Sequence, residues 1–102
     1  MNHRVLPEAD GEALEAALRY EDREPGLGND FLAELERAFG SIRRDPGSLP
    51  RLEDYSGPHE IRRCMLRRFP YAVVFLDRPG EALVVAVAHT RRRPLYWLDR
   101  LG

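Results

Sequence analysis

The chain has no lysine and only one cysteine among its 102 residues. A single thiol, Cys64, excludes an internal disulfide and any structural zinc site built on cysteines. No apolar run approaches the ~20 residues that a membrane-spanning helix needs, and Met1-Asn2-His3-Arg4 opens no apolar signal-peptide core. A cytoplasmic protein with no membrane partner is expected. His3, His59 and His89 stand isolated, with no ligand-spaced carboxylate or second histidine, so no metal and no cofactor is expected. A phosphate-binding glycine loop, a dinucleotide fingerprint and a Ser–His–Asp pattern are missing, as are repeats and low-complexity tracts.

What is present, 43% hydrophobic and 32% charged residues, fits one globular domain over residues 1–102. The net charge of −1 hides a division. Residues 1–60 hold 7 arginines against 14 acids, whereas residues 61–102 hold 9 arginines against 3 acids. The basic part points to a polyanion or an acidic partner. Using arginine alone reads equally well as a bias of the source; its clustering does not.

A short strand at 3–6 stops at Pro7, which suits a first helical turn. From Glu8 to about Asp22, Ala13, Leu14, Ala17 and Leu18 recur at helical spacing and predict a core-facing stripe. A break over residues 23–28 follows. The second helix runs from Leu27 or Asn29 to Arg44, with Phe31, Leu35, Ala38, Phe39 and Ile42 on one face and Asn29 or Asp30 as its cap. The two helices make an antiparallel hairpin. After a breaker-rich loop over 45–58, strands are predicted at 60–67, 71–76 and 82–89, with Pro79 and Gly80 central to a type II turn between the last two.

The order β-α-α-β-β-β predicts an α+β domain, with a helical hairpin packed on one face of a small, mainly antiparallel sheet. A short C-terminal helix or turn is expected around residues 95–98. The last two strands are apolar on both faces, yet the helices cover one. Either a partner fills the second face as a groove, or the long loop and the C-terminal residues close it.

Arg62, Arg63, Arg67 and Arg68 cluster on the first of the three strands, where alternation sets Arg62 and Arg68 against Arg63 and Arg67. Guanidinium forks bind phosphate or carboxylate, although charge on an edge strand also deters aggregation. Arg91, Arg92 and Arg93 end the last strand close to Tyr96 and Trp97. That interleaving fits nucleic-acid contact or an acidic peptide, with Trp97 reading also as a core anchor. His89 is the candidate acid or base, and Cys64 reads as packing.

Tyr20, Pro25-Gly26-Leu27-Gly28, Phe31 and Glu34 resemble the helical hairpin of the RelE/ParE toxins of type II toxin–antitoxin systems. Glu60-Ile61-Arg62-Arg63, Arg67-Arg68-Phe69-Pro70-Tyr71, and Ala86-Val87-Ala88-His89-Thr90-Arg91-Arg92 with Pro94, Tyr96 and Trp97 extend the resemblance over nearly the whole chain. It implies a toxin neutralised by a cognate antitoxin whose C-terminal segment wraps it. Arg62, Arg63, Arg67, Arg68, Arg91, Arg92, Arg93 and Trp97 would then contact target or antitoxin. The RelE-like branch cleaves mRNA on the ribosome, while the ParE-like branch inhibits DNA gyrase. Ala72 stands where RelE-like nucleases carry an arginine, and Thr90, or Arg91 after a one-residue shift, stands at the position of another. The resemblance therefore leans to a ParE-like gyrase inhibitor that performs no chemistry. The alternative is a ribosome-dependent mRNA endonuclease using His89, Arg91 and Tyr96.

Overall fold

In the computed structural model, which describes residues 2–102, Pro7 divides a strand from a helix as its fixed ring requires. Strand β1 (Asn2–Val5) precedes it and helix α1 (Pro7–Arg23) begins on it. Helix α2 (Leu27–Arg44), a 3-10 turn (Pro46–Ser48), strands β2 (Ile61–Met65), β3 (Tyr71–Arg78) and β4 (Glu81–His89), and a 3-10 turn (Leu98–Leu101) follow. The sheet order is β1-β4-β3-β2. Both pairs within β2, β3 and β4 are antiparallel, and β1 lies parallel to β4. This is the expected α+β arrangement, with one parallel pair at an edge. Gly80 has φ +78°, the left-handed value that the third position of a type II turn demands.

The α2 stripe packs as its periodicity predicts: Phe31, Leu35, Ala38 and Ile42 are buried and Phe39 is partly so. Helix α1 is rotated from the expected orientation. Ala9, Ala13, Ala16 and Ala17 are buried, while Leu14 and Leu18 remain 59% and 57% exposed. The reason is close approach. A Cβ added to Gly28 of α2 would lie 2.7 Å from the Ala17 carbonyl oxygen, so the helices cross nearly backbone to backbone. Alanine fits such a layer; leucine does not.

The cap of α2 also differs from expectation. Gly26, in the left-handed region at φ +92°, takes the cap position in place of Asn29 or Asp30. The Glu21 carboxylate, in the last turns of α1, accepts the Gly26 and Gly28 amides at 3.0–3.1 Å. A carboxylate thus reaches the positive end of α2 from the neighbouring helix.

Strand β2 ends at Met65, shorter than predicted. The Leu66 amide bonds to the Tyr71 carbonyl at 2.9 Å and closes the connection, while Arg68 turns left-handed at φ +69°. Arg67 and Arg68 therefore leave the strand, and the predicted alternation of arginines stops before them. At the C-terminus, residues 95–97 form a turn and the 3-10 segment begins only at Leu98.

The second sheet face is not an open groove along its length. Ile61, Val74, Leu76, Leu83, Val85 and Ala86 are buried there beneath Trp97, with Leu52, Tyr55, Leu95, Tyr96 and Leu101 packed against them. The long loop and the C-terminal residues close its centre, leaving a cleft at one end.

Candidate functional site

Trp97 fills the middle of the second face, and beyond it lies a cleft of about 320 Å³. Its floor is Arg63 and Met65 of β2, Ala72 and Val74 of β3, and Ala88 of β4. The register explains this set, since Arg63 pairs with Val74 and Met65 with Ala72. One wall is residues 52–54, which bring Glu53 and Asp54; the other is residues 92–97, which bring Arg92, Arg93 and Tyr96.

The second wall is held by a clasp that begins on α1. Strand β1 pairs with β4 only as far as Val84, so among the described residues the outer edge of β4 beyond it has no strand partner. Side chains satisfy that edge instead. The Glu12 carboxylate accepts the Val87 amide at 3.0 Å, and Arg100 donates to the Val85 carbonyl at 3.0 Å. Arg100 also donates to both oxygens of Glu12, at 3.0 and 3.1 Å, and the Tyr96 hydroxyl donates to Glu12 at 2.6 Å. The Arg92 guanidinium lies 3.9 Å over the Tyr96 ring and 3.6 Å from Glu12. Burial pushes the Glu12 pKa up, but the hydrogen bonds from Arg100, Tyr96 and the Val87 amide together outweigh it, and the net shift is downward. Burial and then the bond to Glu12 push the Tyr96 phenol up. Sequence spacing gave no signal for Glu12 or Arg100, because 88 residues separate them.

The structure sorts the sequence-selected arginines. Arg62 faces the helix side, donating to Asp77 at 3.1 Å and to the Leu49 carbonyl at 2.6 Å, with Glu60 at 3.4 Å. It is a structural cross-tie. Arg63, Arg67, Arg91 and Arg93 have no ion pair within 4.0 Å among the described residues. The Arg67 amide is taken by Glu34 at 3.0 Å. Arg68 lies 3.6 Å from Asp30 and over the Phe69 ring, away from the cleft. Trp97 is buried, so it shapes the cleft from below.

His89 borders the cleft, but its ring packs edge-on against Tyr71 at 5.1 Å, next to Tyr20 and Phe31 on the helix side. Its Nδ1 accepts the Arg91 amide at 3.0 Å. Tyr96 belongs to the opposite face. The sheet therefore separates the His89 ring from Tyr96, and Ala72 puts a methyl group in the floor. Cys64 is buried, which pushes its thiol pKa up. Among the described residues no group of three or more His, Cys, Asp or Glu is placed to hold a metal, and no helix is long and apolar enough to cross a membrane.

No protein-family model matches the chain. In an alignment of 63 positions that covers 57% of the chain, the chain is 36% identical to one component of the aspartyl/glutamyl-tRNA(Asn/Gln) amidotransferase of Haloarcula marismortui. The match spans only 12% of that amidotransferase polypeptide. Among solved structures the chain is similar to one from the chromosomal ParDE toxin–antitoxin system of P. aeruginosa, with a TM-score of 0.74 over 89% of this chain and 97% of that one. The chain has a ParE-like toxin fold. At 12% identity the likeness extends to the backbone plan alone, and the clasp and the cleft are features of this chain's own side chains.

Proposed function

We propose that the chain is the toxin of a type II toxin–antitoxin pair, acting in the cytoplasm, neutralised by a cognate antitoxin and inhibiting DNA gyrase by binding. Supporting the first part is the extent of the fold likeness, 89% of this chain and 97% of the ParDE chain. The amidotransferase likeness covers 12% of that polypeptide and carries no comparable argument.

The observation that carries inhibition by binding is the engagement of the Tyr96 hydroxyl. In-line cleavage of RNA needs a base, an acid and a cation converging on one phosphate within hydrogen-bond reach. Here the Tyr96 proton is donated to Glu12 at 2.6 Å, and the His89 ring packs on Tyr71 across the sheet. Arg91 is exposed, does not line the cleft, and has no carboxylate partner among the described residues. What the cleft retains is Arg63, Arg92 and Arg93 around the apolar Met65, Ala72 and Val74, with Glu53 and Asp54 in the opposite wall, so an acidic segment of a protein partner is suited to its arginine side.

The test is a supercoiling assay with purified protein and gyrase. Dose-dependent loss of supercoiling is expected, and Arg63→Glu with Arg93→Glu weakens it by ~10-fold or more through like-charge repulsion. Unchanged supercoiling, together with codon-periodic cuts in ribosome-bound mRNA, overturns this reading in favour of the endonuclease.

A further inference from the structure

A second basic depression lies on the helix side of the sheet and shares only His89 with the cleft described above. The end of α1, the start of α2 and the connection between β2 and β3 enclose about 570 Å³. Arg19 and Arg23 come from the last turns of α1, Arg68 from the bend after β2, and Tyr71 and His89 from adjoining strand ends. No carboxylate is among its lining residues.

Its polar side chains are arranged to donate. The Tyr71 hydroxyl accepts from Arg19 at 3.0 Å, which leaves its own proton available. Nδ1 of His89 accepts the Arg91 amide, so the proton of the neutral ring is on Nε2. The guanidinium groups are loosely held. Arg19 is 3.8 Å from Glu15 and Arg68 is 3.6 Å from Asp30, with side chains 63% and 61% exposed. Arg23 has no carboxylate within 4.0 Å among the described residues. By contrast, Arg62 and Arg100, which serve the fold, are each 15% exposed in closer pairs.

Two of these three guanidinium groups have only a loose, solvent-exposed carboxylate neighbour and Arg23 has none among the described residues, so the depression keeps an excess of positive charge that an anion relieves. The aromatic floor offers little exposed area, since Phe69 and Tyr71 are buried, so a ligand is held by charge more than by stacking or apolar anchors. That favours phosphate, dense in acceptor oxygens and matched to guanidinium forks, over an acidic peptide whose affinity depends on buried anchors. Guanidinium groups gathered in a depression, not along an extended face, suit the backbone of one flexible strand.

We propose that this depression binds the phosphates of a single-stranded nucleic acid, independently of base sequence. The proposal does not rest on the toxin reading. It is tested by fluorescence anisotropy with a labelled oligouridylate of about 12 nucleotides, from about 50 to 200 mM salt. Binding is expected with a log–log salt slope near ~2, as for three phosphates on a single strand. Arg19→Gln, Arg23→Gln and Arg68→Gln together weaken binding by ~10-fold or more and flatten the slope. The charge-matched control Arg4→Gln, Arg44→Gln and Arg51→Gln stays within ~2-fold. Should the first triple variant lose its native circular dichroism, Arg23→Gln alone is read, with an expected slope decrease of ~0.7. Inorganic pyrophosphate competes, and a polyglutamate peptide does not. Absence of binding at the lowest salt, equal losses in both triple variants, an unchanged slope for Arg23→Gln, or competition by polyglutamate as strong as by pyrophosphate each overturns the proposal.

Discussion

Arg62 and Arg63 are neighbours of one chemical type with opposite roles. Arg62 is drawn into Asp77, Glu60 and the Leu49 carbonyl, whereas Arg63 opens into the cleft. Alternation along a strand put them on different faces, which was legible. Which face held carboxylates was not, because Asp77 comes from the paired strand. The same limit hid Glu12, an ordinary helix acid in sequence and the centre of the clasp in three dimensions. Glu12→Gln keeps the shape and removes the charge; urea unfolding at neutral pH is expected to show a loss of about 2–4 kcal/mol. Its pH dependence has a definite sign. The folded pKa is depressed, so the contribution is fully present above the ordinary carboxylate range and is lost as pH falls through the folded pKa. Below about pH 4.5 the wild type therefore loses stability more steeply than Glu12→Gln, and parallel acid curves for the two proteins contradict the clasp.

At the scale of elements, both helices, the three main strands and the turn at Gly80 were readable because periodicity and glycine placement are local. The orientation of α1 was not. Two overlapping stripes satisfy the same helical period, one through Leu14 and Leu18 and one through Ala9, Ala13, Ala16 and Ala17. Size decides between them, and size matters only once α2 and β4 press against the helix. Ala16→Leu is expected to cost about 1–3 kcal/mol by overpacking, while Leu18→Ala, on the exposed stripe, changes stability by less than ~1 kcal/mol. Thermal unfolding of the pair checks this order. Gly28→Ala belongs with the costly class, since its methyl group meets the Ala17 carbonyl oxygen at 2.7 Å. The early end of β2 had no signal either, as Arg67 and Arg68 carry none of the usual turn chemistry and Arg68 reaches the left-handed region without being glycine.

Across the whole molecule, the charge division seen in the sequence is partly cancelled by folding. Glu12 takes Arg92 and Arg100, Asp30 takes Arg68, and Glu60 takes Arg62, each pairing an acid of the first part with a base of the second. The excess left for partners is narrower than the count of arginines suggested: of the second part's arginines, Arg63 and Arg93 in the cleft and Arg67 and Arg91 outside it have no carboxylate partner among the described residues. Exposed charges of this kind are screened over roughly 8 Å at physiological ionic strength. If the proposed antitoxin meets these arginines with acidic side chains, its association is expected to slow by ~10-fold or more from low to physiological salt, with a smaller change in the dissociation rate, in stopped-flow measurements. A salt-independent association rate contradicts that role for the four arginines.

The clasp also has a consequence in time. Glu12 precedes Arg100 by 88 positions, so during synthesis the carboxylate is made long before its guanidinium. The helical hairpin and the earlier strands emerge well before the C-terminal wall of the cleft exists. The surface proposed to act is thus completed only after the segment through Arg100 has emerged, and a nascent chain that stops short of it cannot present that surface.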